Sequence, residues 1–154
     1  MNYEQILVTG CCGFIGYKVS ELLLKRGIAV IGLDNLNDYY DQNLKEWRLK
    51  LLKDKGERVK VDFNFHKCDI GDVNSVKTIF SNYKIDAVIN LAARAGVRAS
   101  VEDPWAYLDT NLKGTLNLLE CCKANNVKKF FLASTSSVYG DTTKIPFHLD
   151  DNTD

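Results

Sequence analysis

Ile6-Leu7-Val8-Thr9-Gly10-Cys11-Cys12-Gly13-Phe14-Ile15-Gly16 is a short apolar run that enters a turn with glycine at every third position, and Ile31-Gly32-Leu33-Asp34 follows a little downstream. The run reads as a strand and the residues past the last glycine as a helix, the arrangement by which bare backbone N–H groups are brought to a pyrophosphate. Gly10 permits a sharp turn, Gly13 leaves room for the pyrophosphate beside the backbone, and Gly16 lets the helix pack closely on the strand. The helix dipole adds favourable charge. Asp34 ends the next apolar run, where a carboxylate can accept hydrogen bonds from an adenosine ribose. It would repel the 2′-phosphate of NADP, and no arginine follows within the next few residues to offset it. The unit reads as a dinucleotide site that prefers NAD to NADP.

Outward from this unit, strand and helix patterns alternate. Strands are predicted over Gln5–Thr9, Ile28–Leu33, Val61–Lys67, Ala87–Leu91 and Lys129–Ala133, and helices over Phe14–Arg26, Leu44–Lys55 and Val73–Phe80. Gly56 is the expected stop of the second helix, whose apolar stripe is Leu44, Trp47, Leu51 and Leu52. Asp103-Pro104 pairs a capping acid with proline at the first helical position, and the helix behind it carries Trp105, Leu108, Leu112, Leu116 and Leu119 as its expected core stripe. Trp47 and Trp105 read as core anchors. Right-handed crossovers between these elements give an α/β fold, a Rossmann-type doubly wound parallel sheet flanked by helices. Residues 1–140 form the expected NAD-binding domain and 141–154 a polar, acidic loop.

The 154 residues, 45% of them hydrophobic, suffice for one core. Twenty basic and 20 acidic residues mixed along the chain leave nothing to steer it toward nucleic acid or an anionic membrane. The start carries no basic region, and its apolar run is too short for a signal peptide or membrane span, so a cytoplasmic location is expected. The five cysteines show no metal-ligand spacing and read as reduced thiols; no metal is expected. Cys11 and Cys12 are expected to be sensitive to oxidation when the cofactor site is empty, because a helix N-terminus lowers a thiol pKa. His66 and His148 read as structural or solvated, and Ser134, Ser136 and Ser137 lack a histidine or acid spaced to activate them. Arg94 and Arg98 follow a strand end in a glycine-containing loop, where a guanidinium could pair with a diphosphate or a sugar carboxylate or simply lie at the surface.

Several stretches taken together resemble the extended short-chain dehydrogenase/reductase family, and within it the nucleotide-sugar epimerases. They are Thr9 through Gly16, Asp69-Ile70, Leu91-Ala92-Ala93, Asn111 through Thr115, and Ser134 through Tyr139-Gly140. Asp34 through Asp41, followed by Leu44-Lys45 and Arg48-Leu49, is similar to the UDP-glucuronate 4-epimerase branch, as is Ala95-Gly96-Val97-Arg98. The resemblance implies epimerisation of a UDP-sugar through transient oxidation at C4 by tightly held NAD. It implies cofactor contacts from Gly10, Gly13, Phe14, Ile15 and Gly16 at the turn, and from Asp34 and Asn35 at the ribose. Asp69 and Ile70 would meet the adenine, and Leu91, Ala92 and Ala93 would line the path to the nicotinamide. Asn111 and Ser134 would support the cofactor, and Thr135 matches the family's catalytic hydroxyl.

The family's Tyr-x-x-x-Lys pair is absent from this sequence. Tyr139 is followed by Thr143 where lysine should stand, and Lys144 comes one residue late. Lys144-Ile145-Pro146-Phe147 and the acidic tail look like the loop that precedes that pair. The expectation is therefore the cofactor half of an epimerase, truncated before the substrate-binding region and catalytically incomplete alone. The alternatives are a stand-alone NAD-binding module, a non-catalytic remnant, or a fragment of a nucleotide-sugar dehydratase of the same family. The Trp105–Cys122 helix is a candidate homodimer surface, although its apolar stripe serves equally as core.

Overall fold

The computed structural model describes residues 3–141 and 145–153; Thr143 and Lys144 lie outside the described residues. Five parallel strands form one sheet: β1 (Gln5–Thr9), β2 (Ala29–Asp34), β3 (Phe63–Lys67), β4 (Ala87–Asn90) and β5 (Phe130–Leu132), in the spatial order β3-β2-β1-β4-β5. The first strand is central, with β2 and β4 on its two sides, so the strand order reverses there. A crevice outside the carboxyl ends of β1, β2 and β4 follows from that reversal.

Leu7, Val8, Val30, Ile31 and Leu33 have no exposed surface. Helices cover both faces of the sheet, which is why β1 and β2 read as continuous apolar runs. On one face Leu7, Ile31 and Val88 pack with Val76, Ile79 and Phe80 of α3 (Val73–Asn82). On the other Ile6, Val8 and Val30 pack with Leu23 and Leu24 of α1 (Phe14–Lys25) and with Leu52 of α2 (Gln42–Val59). Each such side chain, fully buried, contributes roughly 1.5–3 kcal/mol. Asp86 ties the amino ends of β1 and β4 together by accepting from the Glu4 and Gln5 amides at 2.8 and 3.0 Å.

Three helix starts carry an aspartate cap. Asp41 accepts from the Asn43 amide and Asp72 from the Asn74 amide, at 2.9 and 3.0 Å. Asp103 caps α5 (Pro104–Tyr107) by accepting from the Ala106 amide at 3.2 Å. A short helix α4 (Val97–Glu102) precedes it, and a wide π turn over Leu108–Gly114 joins it to α6 (Thr115–Ala124).

Three expectations are corrected here. Gly56 does not end α2; the helix runs through it to Val59 and stops on Lys60, whose φ is +57°. Gly56 faces β3, where an added Cβ would stand 2.8 Å from the Val61 carbonyl oxygen, so the glycine marks close packing. Trp47 is 56% exposed, and the buried face of α2 is Lys45, Arg48, Leu52 and Gly56. The stripe of Trp105, Leu108, Leu112, Leu116 and Leu119 is also exposed, with Trp105 at 72%. Gly114, Leu118, Cys121 and Cys122 face inward in its place. The small residues win because the helical run lies so close that a Cβ on Gly114 would be 2.5 Å from Ile70 Cγ1.

A candidate dinucleotide site at the carboxyl edge of the sheet

The glycine turn leaves β1 at the middle of this edge. Gly10 has φ +65°, and an added Cβ would sit 2.9 Å from the Ala92 amide nitrogen, so no other residue fits. A Cβ on Gly16 would fall 2.0 Å from the Gly10 carbonyl oxygen, and one on Gly13 would fall 3.0 Å from it. The first turn of α1 is thereby drawn against the strand end, with Phe14 and Ile15 at its mouth, 81% and 60% exposed. The amides of a first helical turn have no partner within the helix, and a bare backbone concavity with a helix N-terminus behind it suits a diphosphate.

Asp34 stands on the β2 side of this turn, 7% exposed. One carboxylate oxygen accepts from the Cys12 amide at 3.0 Å and the other from the Leu36 amide at 2.9 Å. Those bonds fix the carboxylate beside the turn and leave a second lone pair on each oxygen for a diol. Asn35 donates to Asp69 at 2.9 Å, and the Gly71 amide donates to the other oxygen of Asp69 at 2.8 Å. Two acids and an amide from neighbouring strand ends thus line one bank, together with Ile70.

The opposite bank is built from β4. Thr9, with no exposed surface, donates to Asn90 Oδ1 at 2.5 Å and accepts from the Leu91 and Ala92 amides, both at 3.1 Å. Asn90 in turn donates to Thr115 at 3.1 Å, which anchors this loop to the long helical run. Asn111 accepts from the Arg94 amide at 2.8 Å and donates to the Arg94 carbonyl at 2.9 Å. Leu91, Ala92, Ala93 and Arg94 line the same cavity as Gly10, Gly13 and Asp34.

Ten of the residues singled out from the sequence therefore converge on one cavity: Gly10, Gly13, Asp34, Asn35, Asp69 and Ile70, with Leu91 through Arg94. Phe14, Ile15 and Gly16 form the adjoining helix start, and Asn111 acts through the Arg94 backbone. Arg98 lies exposed on α4, outside the cavity lining. Ser134 and Thr135 follow β5 on the same sheet edge but do not line it either; Thr135 accepts from the Ser137 amide at 3.2 Å, heading a short 3-10 turn over Ser136–Tyr139.

Lys45 and Arg48 belong to a stretch quoted for the family resemblance, but the sequence reading gave them no role in the site. Lys45 is 4% exposed, donates to the Asn37 carbonyl and Oδ1 at 2.9 and 2.6 Å, and lies 4.6 Å from the Tyr40 ring centroid. Arg48 donates to the Cys12 carbonyl at 3.3 Å and to the Tyr40 hydroxyl at 3.0 Å, holding the loop after β2 against the glycine turn. Their spacing on α2 with Leu52 and Gly56 was the available signal. The expected reactivity of the Cys11-Cys12 pair is corrected: both are fully buried, and the Cys12 thiol beside it together with burial pushes the Cys11 pKa well above its ordinary value. The donor atoms of Cys11, Cys12 and Asp34 come within 4.8 Å of one another.

No helix among the described residues is long and apolar enough to cross a membrane. The profile of the GDP-mannose 4,6 dehydratase family matches residues 7–154. A UDP-glucuronate 4-epimerase of Thermodesulfobacterium geofontis is 58% identical over 144 residues, which are 94% of this chain and 43% of that protein. The crystal structure of UDP-glucose 4-epimerase from Bifidobacterium longum in complex with NAD+ and UDP superposes with a TM-score of 0.82 at 30% identity, covering 97% of this chain and 42% of that one. A mutant UDP-glucuronic acid 4-epimerase from Bacillus cereus, in complex with UDP-4-deoxy-4-fluoro-glucuronic acid and NAD, gives 0.79 at 34%, covering 97% and 45%. The chain thus spans under half the length of these relatives.

Proposed function

The chain belongs to the GDP-mannose 4,6 dehydratase family, and from that premise we propose that it is the NAD-binding portion of a nucleotide-sugar 4-epimerase of the UDP-glucuronate type. The observation that carries this reading is the Gly10–Gly16 turn set beside the two anchored oxygens of Asp34. In this reading residues 1–140 are the cofactor domain and 141–154 lead toward a substrate-binding region. Asp34 and Asn35 hold the adenosine ribose, Asp69 and Ile70 the adenine, and the turn with Phe14, Ile15 and Gly16 the pyrophosphate. Leu91, Ala92 and Ala93 line the way to the nicotinamide, with Asn111 and Ser134 as support.

NAD would supply the transient oxidation at C4 of a UDP-sugar. Thr135 would hydrogen-bond the reacting sugar oxygen, and Arg94 or Arg98 would meet a phosphate or carboxylate of the substrate. The 58% identity to a UDP-glucuronate 4-epimerase favours epimerisation over the dehydration for which the family is named. The exposed stripe from Trp105 to Leu119 supports a homodimer.

Calorimetry with NAD and NADP tests the reading. NAD should bind, with NADP at least about tenfold weaker because Asp34 repels its 2′-phosphate; no heat with NAD would sink it. Residues 1–154 hold no Tyr-x-x-x-Lys, so this polypeptide alone should bind cofactor and show no C4 epimerisation of UDP-glucuronate.

A further inference from the structure

Two loops from opposite sides of β1 meet across the glycine turn. Tyr39, on the loop after β2, donates its hydroxyl to the carbonyl of Ala95, on the loop after β4. Tyr107, at the end of α5, donates to the same carbonyl at 2.7 Å and lies 3.0 Å from the Gly96 carbonyl. The two hydroxyl oxygens are 3.2 Å apart. Gly96 has φ +102°, and an added Cβ would reach to 3.4 Å from the Tyr39 hydroxyl, so the turn that presents these carbonyls suits glycine. Beside this junction the Arg94 guanidinium lies 5.6 Å from the Tyr39 ring centroid, and its buried Nε has no hydrogen-bond partner among the described residues.

We propose that Tyr39 and Tyr107 form a clasp that retains NAD in the groove between turnovers. The proposal rests on the NAD reading above, and both tyrosines are positioning residues that act through the loops. Asn37, Tyr39 and Tyr40 line one bank of the cavity and Leu91 through Arg94 the other, with Gly10 and Gly13 between them. A dinucleotide running from Asp34 across the turn toward Ala92 would pass the bridge, which joins segments 56 residues apart in sequence. An epimerase that oxidises and re-reduces one sugar needs its cofactor to stay in place, and a bridge of this kind slows release without touching the chemistry. The Tyr39 hydroxyl beside it, and then burial, push the Tyr107 pKa up to about 12, so its phenol remains a donor throughout the neutral range. The bonds are solvent-exposed, and losing them is worth roughly a tenfold change in a rate.

Release of radiolabelled NAD from the 154-residue chain, chased with unlabelled NAD, reads the clasp directly. Tyr39→Phe combined with Tyr107→Phe should speed release about tenfold, with a ligand-free melting temperature close to the parent's showing that the fold is kept. Gly96→Ala keeps both phenols but strains the turn they grip, and should speed release as well, which covers the case of a double variant that folds poorly. Release within twofold of the parent in both variants overturns the clasp alone. A parent chain that takes up no NAD overturns the cofactor reading and the clasp with it.

Discussion

The glycine turn depends on single atoms. Gly16 and Gly27 are both glycines at the ends of α1, yet a Cβ would meet the Gly10 carbonyl oxygen at 2.0 Å in the first and nothing within 4 Å in the second. Gly16→Ala should therefore destabilise the fold by about 3 kcal/mol or more, because the obstructing atom is backbone and cannot rotate away. Gly27→Ala should cost only the left-handed strain of its φ of +77°, about 1–2 kcal/mol. Urea unfolding of the two variants separates contact from conformation; equal midpoints would contradict the close packing of α1 on β1. The same scale bears on the Cys11 thiol. A helix N-terminus favours a thiolate, but complete burial and a neighbouring thiol outweigh it.

At the scale of elements, acid should loosen two joints. Glu21 of α1 is held between Lys18 and Lys25 at 2.7 Å each, with the Lys18 hydrogen bond foremost in drawing its pKa down to about 2. The Asp86 carboxyl is held below its usual range chiefly by the Gln5 amide. Both folded pKa values are depressed, so their stabilisation is complete above about pH 4.5, the ordinary carboxylate range, and fades as pH falls toward about 2. Asp86→Asn should cost about 1 kcal/mol at pH 7 and Glu21→Gln less, since its partners are solvent-exposed. Urea midpoints at pH 7 and pH 2 should show each deficit shrinking in acid, and a deficit independent of pH would contradict this. Elements were also where the sequence was most legible: all five strands, the cap at Asp103, and the turn-plus-acid unit lie where the pattern puts them. What could not be read was which side of a helix faces in. The run behind Pro104 carries two apolar stripes, and the smaller, Gly114 with Leu118, Cys121 and Cys122, is the one that approaches the sheet. In α2 the cations Lys45 and Arg48 turn inward because that end of the helix borders a groove rich in carbonyls and phenols, which apolar periodicity does not register.

For the whole molecule, the outward stripe is an exposed apolar feature with a testable role. Leu112 and Leu116 are 64% and 56% exposed, so Leu112→Glu with Leu116→Glu should change monomer stability by no more than about 0.5 kcal/mol per site. Sedimentation should find the parent chain as a dimer and the doubly substituted chain as a monomer; a parent that stays monomeric at high concentration would refute the dimer. The order β3-β2-β1-β4-β5 carries a last consequence, for the chain as it is being made. The middle strand leaves the ribosome first, but β4, which closes its second flank, is separated from it by some 81 residues. At about 5–20 residues per second that gap lasts roughly 4–16 s. Through that interval a nascent chain holds Ile6, Leu7 and Val8 with at least one neighbour missing, which is the moment when a chaperone has most to offer it.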